Sequence, residues 1–242
     1  MRAMLVCVAV ALACTAALGD VATPRPQWTT VRMASEEVNI TLGAQKVQVE
    51  ATFNMHNLGQ AATVAMGYPL GTFESALNDL KVTVNGEALS AIRSQAGGAP
   101  AGGLLRAAPG GKPGGPAAEA YRFEGPYKEW KVFDVPFGAD EKKTIRVSYW
   151  VEPAKVKDAE AGSLLHYCYT MKTGATWKGK IDEAKVSVKL SGVAADRIVR
   201  VVPVGYAKTN GGSSFSWTLK DFKPTDNIEV TFRPAASAAA AR

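Results

Sequence analysis

Apolar and polar side chains alternate without a break between Lys46 and His56, and this pattern restricts the fold more than any other feature of the chain. Successive side chains of a β-strand point to opposite faces of a sheet. The segment therefore predicts a strand with one buried and one solvated face. An amphipathic helix would repeat its apolar residues about every 3.6 positions, which this segment does not do. Its apolar residues are Val47, Val49, Ala51, Phe53 and Met55.

The same alternation recurs along the chain and gives eleven predicted strands. No segment keeps a helical pattern for three turns, so the crossover helices of a parallel sheet are missing. Many short strands with one wet face each favour an all-β fold, an antiparallel β-sandwich of the immunoglobulin-like kind. Asn85-Gly86 is the strongest hairpin signal. The other patterns are Val38/Ile40/Leu42, Val64/Met66/Tyr68, Leu80/Val82/Val84, Trp130/Val132, Ile145/Val147/Tyr149/Val151, Leu165/Tyr167/Tyr169/Met171, Ala184/Val186/Val188/Leu190, Ile198 to Val202, Phe215/Trp217/Leu219 and Ile228/Val230/Phe232.

Composition indicates one β-sandwich domain over residues 30–235, with two segments that we do not expect to fold. Residues 94–118 are almost wholly Gly, Ala and Pro, and they bury too little apolar area to offset the entropy cost of ordering. We predict a disordered loop there and a frayed tail over residues 236–242. Residues 153–162 are charged and lack large apolar side chains, so they are the candidate boundary of a two-lobed alternative.

The N-terminal segment predicts export. Residues 1–19 combine Arg2, an apolar core and small residues ahead of Asp20, which is the pattern of a cleaved signal peptide. The apolar stretch is shorter than the roughly 20 residues of a membrane span, although an uncleaved anchor is one alternative. Lipidation at Cys14 is another, since Ala11-Leu12-Ala13-Cys14 resembles a bacterial lipobox. The sequence thus predicts a secreted or periplasmic protein with no membrane span after signal cleavage.

Charge and cysteine content narrow the range of partners. The formal charge falls from +6 to +5 on removal of the signal, because Arg2 is its one charged residue. Acidic and basic residues are interleaved, with no run of five like charges such as a polyanion-binding tail would show. This pattern and export argue against nucleic acid as a partner. Cys168 is the one cysteine after the signal, so the mature chain depends on its core rather than on an internal disulfide.

The sequence offers no catalytic or metal-binding constellation and no cofactor motif. His166 and Cys168 share a face of one predicted strand, but such neighbours lie about 7 Å apart, too far for a nucleophilic dyad. His56 is the one further histidine, so the ligand count falls short of a zinc site. A glycoside hydrolase needs two carboxylates across a groove, and the spacing here specifies no pair. The available carboxylates are Glu36, Glu37, Glu74, Glu124, Glu129 and Asp134.

The segment Tyr167–Lys180 is the most distinctive part of the chain, because an aromatic strand runs into a loop that carries Trp177. In the first interpretation Trp177 is exposed and stacks on a sugar ring or a partner, with Tyr169, Thr173 and Lys178 beside it. In the second, Trp177 folds back and closes one end of the sandwich, as large aromatic side chains commonly do. These four residues are the candidate binding residues.

Four phrases together resemble an uncharacterised family of exported bacterial proteins, a domain of unknown function. The resemblance spans most of residues 33–232 and implies a β-rich fold and a location in the bacterial envelope or outside the cell. It brings no activity and no catalytic residues. Tyr68 stands where the family pattern has phenylalanine, which keeps the aromatic ring. The phrases are Met33–Ile40, Phe53–Asn57 followed by Met66–Pro69, Thr173–Gly179 and Phe222–Ile228.

Three hypotheses for function follow. The first is a noncatalytic extracytoplasmic β-sandwich that binds an envelope protein or polysaccharide through loops on a rigid scaffold. The second is a carbohydrate-active hydrolase that uses surface carboxylates. The third is a structural or assembly module in which an exposed sheet edge pairs with a partner strand.

Overall fold

The computed structural model describes residues 18–19, 29–70, 76–96, 127–158 and 161–234. These residues form β-strands and three short 3-10 helices, at Lys172–Thr176, Ala195–Arg197 and Asn210–Gly212. Every one of the eleven alternating segments contributes a strand, so the strand predictions are confirmed. In chain order the strands are β1 (Leu18–Gly19), β2 (Val31–Leu42), β3 (Val47–Asn57), β4 (Ala62–Leu70), β5 (Asn78–Val84), β6 (Glu87–Ala88), β7 (Arg93–Ala96), β8 (Glu129–Phe137), β9 (Lys142–Val151), β10 (Ala154–Asp158), β11 (Gly162–Thr170), β12 (Ile181–Leu190), β13 (Ile198–Val202), β14 (Ala207–Thr209), β15 (Ser214–Phe222) and β16 (Ile228–Phe232).

The larger sheet has the strand order β14-β15-β12-β2-β3-β9-β5-β6. Its neighbours are antiparallel except β2 and β12, which run parallel from Ser35↔Glu183 to Leu42↔Leu190. The alternating pattern did not predict this parallel pair, because a period of two records which face is buried and not the direction of the neighbouring strand. The all-β prediction itself is confirmed.

Two smaller sheets complete the molecule. One has the order β4-β8-β7; in the other, β16 lies between β11 and β13, and β11 also pairs with β10 and, in parallel, with β1. Inward side chains of all three sheets, such as Phe53, Tyr68 and Val230, belong to one hydrophobic cluster. The sheets therefore share a core, as expected for a sandwich.

A bulge in β2 explains an acidic residue in the core face of the larger sheet. The pairing of β2 with β3 shifts register between Met33 and Ser35, which adds Ala34 as an extra residue on one strand. Val31 and Met33 are buried before the bulge, and Glu36 and Val38 after it. The extra residue moves the buried phase by one position and so turns Glu36 inward.

The turn at Asn85-Gly86 confirms the hairpin prediction. Asn85 has φ +51° and Gly86 has φ +88°, and the turn joins Val84 of β5 to Glu87 of β6. Left-handed conformations at both central residues match the right-handed twist of the strands they connect. Nothing lies within 4 Å of a side-chain carbon built on Gly86, so the preference for glycine there is one of backbone conformation alone.

Strand β7 corrects the predicted disorder from residue 94. Arg93–Ala96 pairs with Glu129–Val132 of β8, so the prediction is wrong for residues 94–96. Arg93 donates to Asp134 Oδ2 at 2.9 Å, and Lys131 donates to Ser94 Oγ at 2.7 Å. Main-chain pairing and these polar contacts order a stretch whose composition gives no strand pattern. The rest of the predicted loop lies outside the described residues.

Residues 153–162, the candidate lobe boundary, contain β10. This strand pairs antiparallel with β11, from Ala154↔His166 to Asp158↔Gly162. Val147 precedes the segment and Val186 follows it, yet both belong to the same hydrophobic cluster. The two-lobe alternative therefore has no support in the packing.

The predicted signal over residues 1–19 and the predicted tail over residues 236–242 fall almost entirely outside the described residues. Leu18 and Gly19 alone are described, as β1 beside Tyr169 and Thr170. Within the described part of the chain, no helix has the length and apolar character to cross a membrane.

Candidate binding site between an open sheet edge and two crossing loops

Trp177 is buried, which corrects the interpretation that it is an exposed binding residue. Its side chain is 2% exposed and belongs to the main hydrophobic cluster. The 3-10 helix at Lys172–Thr176 leads the chain back over the core, and Trp177 N donates to Gly174 O at 3.3 Å. The indole therefore presents no ring face for a ligand, and the second interpretation describes its position.

The other three predicted binding residues do not form a surface with it. Tyr169 and Thr173 are buried, and the Thr173 hydroxyl donates to Thr170 O at 3.3 Å. Lys178 is exposed, and its main-chain N donates to Val31 O at 3.2 Å. Of the four candidates, Lys178 alone reaches solvent, so this segment joins the core to β2 rather than offering a binding face.

Two of the carboxylates named for the hydrolase alternative, Glu129 and Asp134, form ion pairs. Lys131 Nζ lies 2.5 Å from Glu129 Oε1, and Arg93 Nη1 lies 2.9 Å from Asp134 Oδ2. Burial acts to raise the pKa of Glu129, but hydrogen bonds from Lys131 and Ser94 outweigh it and hold that pKa below its ordinary value of 4.5. A catalytic general acid needs the opposite shift. Glu36 is buried in the core face, Glu37 is exposed on the solvated face of β2, and Glu74 and Glu124 lie outside the described residues.

Each of the two histidines has a hydrogen-bond partner that is neither the other histidine nor Cys168. His56 Nε2 lies 2.6 Å from Asp140 Oδ1, and His166 Nδ1 lies 3.0 Å from Thr231 Oγ1. Cys168 is buried, on the same strand as His166. In the described ranges, no three His, Cys, Asp or Glu side chains group closely enough to hold a metal ion.

A polar cleft of about 500 Å³ lies on the solvated face of the larger sheet. Its charges are largely compensated within the protein, because Arg32 pairs with Asp182 and Lys143 with Glu141. Its lining is Arg32, Ala34, Asn54, Met55, His56, Asn85, Lys142, Lys143, Thr144 and Asp182. Such a surface is well solvated and already hydrogen-bonded, so little free energy is gained when a ligand covers it.

A second concavity, the lateral pocket, is apolar and has a volume of about 440 Å³. Two loops that cross between the sheets enclose it, residues 203–206 after β13 and residues 223–227 after β15. Trp217 Nε1 donates to Pro203 O at 3.0 Å, which ties the first loop to β15. Lys172 N donates to Asn227 Oδ1 at 3.3 Å, which ties the second loop to the end of β11. The lining is Met171, Pro203, Val204, Gly205, Trp217, Thr218, Leu219, Phe222, Lys223, Pro224, Thr225 and Asp226.

Val204 is the most solvent-exposed large apolar side chain of the described residues. It is 83% exposed, at the mouth of the lateral pocket, whereas Leu219 and Phe222 are half-buried within it. Apolar surface of this kind is favourable to cover, at about 25 cal/mol per Å². The volume falls in the range of small-molecule and peptide-side-chain sites.

A left-handed residue brings Phe222 into the pocket. Phe215, Trp217 and Leu219 point inward at alternate positions of β15, so continued alternation would turn Phe222 to the solvated face. Asp221 has φ +47°, which breaks the alternation. Lys180 Nζ lies 2.8 Å from Asp221 Oδ2 at this bend. Phe222 therefore lines the same concavity as Leu219.

The lateral pocket adjoins a free stretch of sheet edge. Strand β12 pairs with β15 from Ser214 to Phe222, but β14 pairs with it only from Ser214 to Ser216. From Trp217 onward, no other described strand occupies the outer side of β15. We call Trp217–Lys220, the part before the left-handed Asp221, the open edge. Exposed strand edges are templates for pairing with another chain.

Sequence reasoning missed the lateral pocket because its walls come from three separate stretches of chain. The alternating pattern assigned both Trp217 and Leu219 to the core. Trp217 is buried, as predicted, but Leu219 is half-buried and lines the pocket. The available signal was Val204, an apolar residue between Pro203 and Gly205 in a segment with no strand pattern. An exposed apolar residue in a turn is a weak signal by itself, and it becomes informative only beside other apolar residues that line a concavity.

Comparison with known families finds a family model that matches part of the chain. The fold and pocket define an all-β sandwich with a lateral apolar site, and residues 146–231 match the family model of a domain of unknown function, DUF4424. The resemblance inferred from the sequence is thus confirmed over this span. All residues lining the lateral pocket lie within it, whereas most of those lining the polar cleft lie before it. No curated protein is similar enough to count as a relative.

Solved structures support the fold. A provisionally assigned nutrient-binding protein from Legionella pneumophila aligns with a TM-score of 0.63 at 15% identity, over 90% of this chain and 71% of its own. A variant M1 zinc metallopeptidase from Deinococcus radiodurans aligns with a TM-score of 0.42 at 10% identity, over 84% of this chain and 42% of its own. The first similarity indicates a common fold; the second is too low to establish one.

Proposed function

We propose that the protein is a noncatalytic, exported β-sandwich module that binds a component of the bacterial envelope, a protein or a polysaccharide, in the lateral pocket. The observation that carries this proposal is the apolar lining of the pocket, with Val204 83% exposed at its mouth. A single exposed apolar residue is common, but apolar side chains that together line a concavity are typical of a binding site.

Three further observations support the proposal. The pocket lies wholly within the span that matches the DUF4424 model. The Legionella pneumophila protein of similar fold carries a provisional nutrient-binding assignment, which agrees with a binding role. The signal pattern of residues 1–19 favours a location in the periplasm or outside the cell, with a lipid anchor at Cys14 as the alternative.

The test compares two valine variants of the mature protein. Val204→Asp places a carboxylate at the pocket mouth, and Val199→Asp places one at a 42% exposed position of β13 that does not line the pocket. Binding to isolated envelope polysaccharides and to displayed short peptides is measured by biolayer interferometry. We expect Val204→Asp to weaken the tightest ligand at least tenfold, about 1.4 kcal/mol, and Val199→Asp to leave it unchanged.

Equal affinity of Val204→Asp and the unmodified protein for every ligand would contradict the proposal. Both substitutions lie at exposed positions, so both variants are expected to fold, and circular dichroism verifies this before binding is compared. A Lys142→Ala variant tests the polar cleft in the same assay. Loss of binding in that variant alone would assign the ligand to the cleft instead.

A further inference from the structure

The lateral pocket lies on the line that the next strand of the sheet would follow. Its lining includes Leu219, which points inward from β15, and Thr218, which points to the solvated face. A concavity that touches both faces of one strand straddles the edge of that strand. The empty volume is therefore beside the main chain of the open edge and not only beneath its side chains.

Main-chain groups of the open edge are available on that side. The antiparallel partner β14 stops at Ala207↔Ser216, one residue before Trp217. Across the described residues, no main-chain hydrogen bond outside the strand ladders involves any residue of Trp217–Lys220. Alternate N–H and C=O groups of an edge strand point away from its single neighbour, so this stretch presents a short row of donors and acceptors.

The left-handed Asp221 limits the length of a partner. A regular strand pairs only with residues in the β region, so pairing along β15 ends before φ +47° at Asp221. The open edge of Trp217–Lys220 spans roughly 13 Å at the usual rise of about 3.3 Å per residue. An added strand here is short, and its affinity must come partly from side chains in the pocket.

Charge around the open edge favours an acidic partner. Lys220 and Lys223 are exposed, and neither forms an ion pair with another described residue. Asp226 accepts from the Thr225 hydroxyl at 2.9 Å and is the one carboxylate that lines the pocket. Two unpaired ammonium groups beside an apolar pocket suit a segment that joins apolar residues to a carboxylate.

From this arrangement we infer that the ligand is an extended peptide segment of a partner protein, which adds as a short strand along Trp217–Lys220. The segment carries apolar side chains at alternate positions, and these enter the lateral pocket against Leu219, Phe222 and Val204. An acidic residue of the segment lies near Lys220 or Lys223. This inference rests on the proposed function and specifies the ligand class of the same pocket.

The experiment uses a displayed library of short linear peptides, selected against the mature protein. The tightest peptide is synthesised together with a series in which each main-chain nitrogen in turn is methylated. Strand addition predicts that methylation weakens binding about tenfold or more at every second position and little at the positions between, because alternate N–H groups face the open edge. Val204→Asp is expected to weaken the same peptide, and Val199→Asp serves as the matched control.

The outcomes separate this inference from the proposed function. A peptide that loses affinity in Val204→Asp but tolerates methylation at all positions would overturn strand addition and leave the pocket as the binding site. If no peptide is selected and a polysaccharide binds with an affinity that Val204→Asp weakens, strand addition is likewise overturned and the pocket remains the binding site. Binding that no pocket variant affects would overturn both. A dimer in solution that Val204→Asp dissociates would assign the open edge to a second copy of the chain and overturn the partner peptide.

Discussion

Trp177 is among the largest fully buried side chains of the described residues, and its environment illustrates how the core stabilises this part of the chain. The loop that carries it turns inward after a 3-10 helix, and Lys178 N bonds to Val31 O immediately afterwards. A loop that could have offered a binding surface is instead fixed between β11 and β2. Burying a large aromatic side chain contributes several kcal/mol.

Replacing this aromatic side chain tests its structural role. Trp177→Ala should lower the free energy of unfolding by about 3–5 kcal/mol, since it removes a buried indole and leaves a cavity. Lys178→Ala, at the exposed neighbouring position, should change it by about 0.5 kcal/mol or less. Urea unfolding of both variants measures the difference. Equal stability of Trp177→Ala and the unmodified protein would show that the indole is not part of the core.

Tyr68 gives the core a dependence on alkaline pH. Burial, followed by the nearby phenols of Tyr149 and Tyr169, raises the pKa of Tyr68 well above its ordinary value of 10.0. The unfolded chain then releases this proton above about pH 10 while the folded chain keeps it, so stability is lost as pH rises through that value. Tyr68→Phe should show a smaller fall in the free energy of unfolding between neutral and alkaline pH. Identical pH profiles for the two proteins would contradict this.

At the residue scale, the sequence predicted which side chains are inward on strands but not which loop residues are exposed. Val47 and Phe53 were placed correctly because alternation determines the face of a strand. Trp177 and Val204 are both apolar residues in loops, yet one is buried and the other is 83% exposed. Their difference depends on where each loop crosses between sheets, which local sequence does not encode.

At the scale of elements, the proposal gives β15 both a structural and a binding role. Its first residues are covered on both sides by β12 and β14, and its later residues only by β12. The charge of Lys220 and the interruption of the strand at the left-handed Asp221 both limit pairing of this edge with other chains. The open edge is thus restricted to a short stretch beside the lateral pocket, as a selective docking site requires.

The hairpin between β5 and β6 permits a test of turn chemistry. Gly86→Ala should destabilise the protein by about 1–2 kcal/mol, because φ +88° is costly for any residue with a side chain and no contact compensates. Gly138→Ala is the control. It has no left-handed conformation, and its added carbon would meet Glu141 at ordinary contact distances of 3.6 Å and more. Thermal unfolding compares the two, and equal effects would contradict the account of the turn.

Turns with strong residue preferences could be predicted from the sequence, whereas short strands could not. The hairpin at Asn85-Gly86 was predictable because its residues have a conformational preference of their own. Strands β7 and β10 were not, since Arg93–Ala96 carries no alternating pattern and Ala154–Asp158 alternates over only five residues with no large apolar side chain except Val156. Both are ordered by pairing, with β8 and β11 respectively. Short strands depend on their neighbours more than on their own side chains.

At the scale of the whole molecule, three sheets share one hydrophobic core, and the lateral pocket opens where the loops after β13 and after β15 cross between two of them. The sequence predicted the class of fold, because eleven alternating segments have to bury one face each. It did not predict the site. A pocket assembled from the ends of strands and two crossing loops exists only after the sheets have packed.

The proposal of an envelope partner requires that the protein is exported. We expect the mature protein to begin at Asp20, because residues 1–19 carry a cleavable signal pattern. N-terminal sequencing of the protein recovered outside the cytoplasm measures this. A mature chain that begins at a lipid-modified Cys14 would favour the anchored alternative, and one that stays in the cytoplasm with residues 1–19 intact would contradict export.

Amide hydrogen exchange with and without the tightest ligand tests the central claim most directly. If the lateral pocket and its open edge form the binding site, ligand should slow exchange at amides within Trp217–Lys220 and in the loop that carries Val204. Protection around Asn54–His56 and Lys142–Thr144 of the polar cleft, with exchange at Trp217–Lys220 unchanged, would contradict the account.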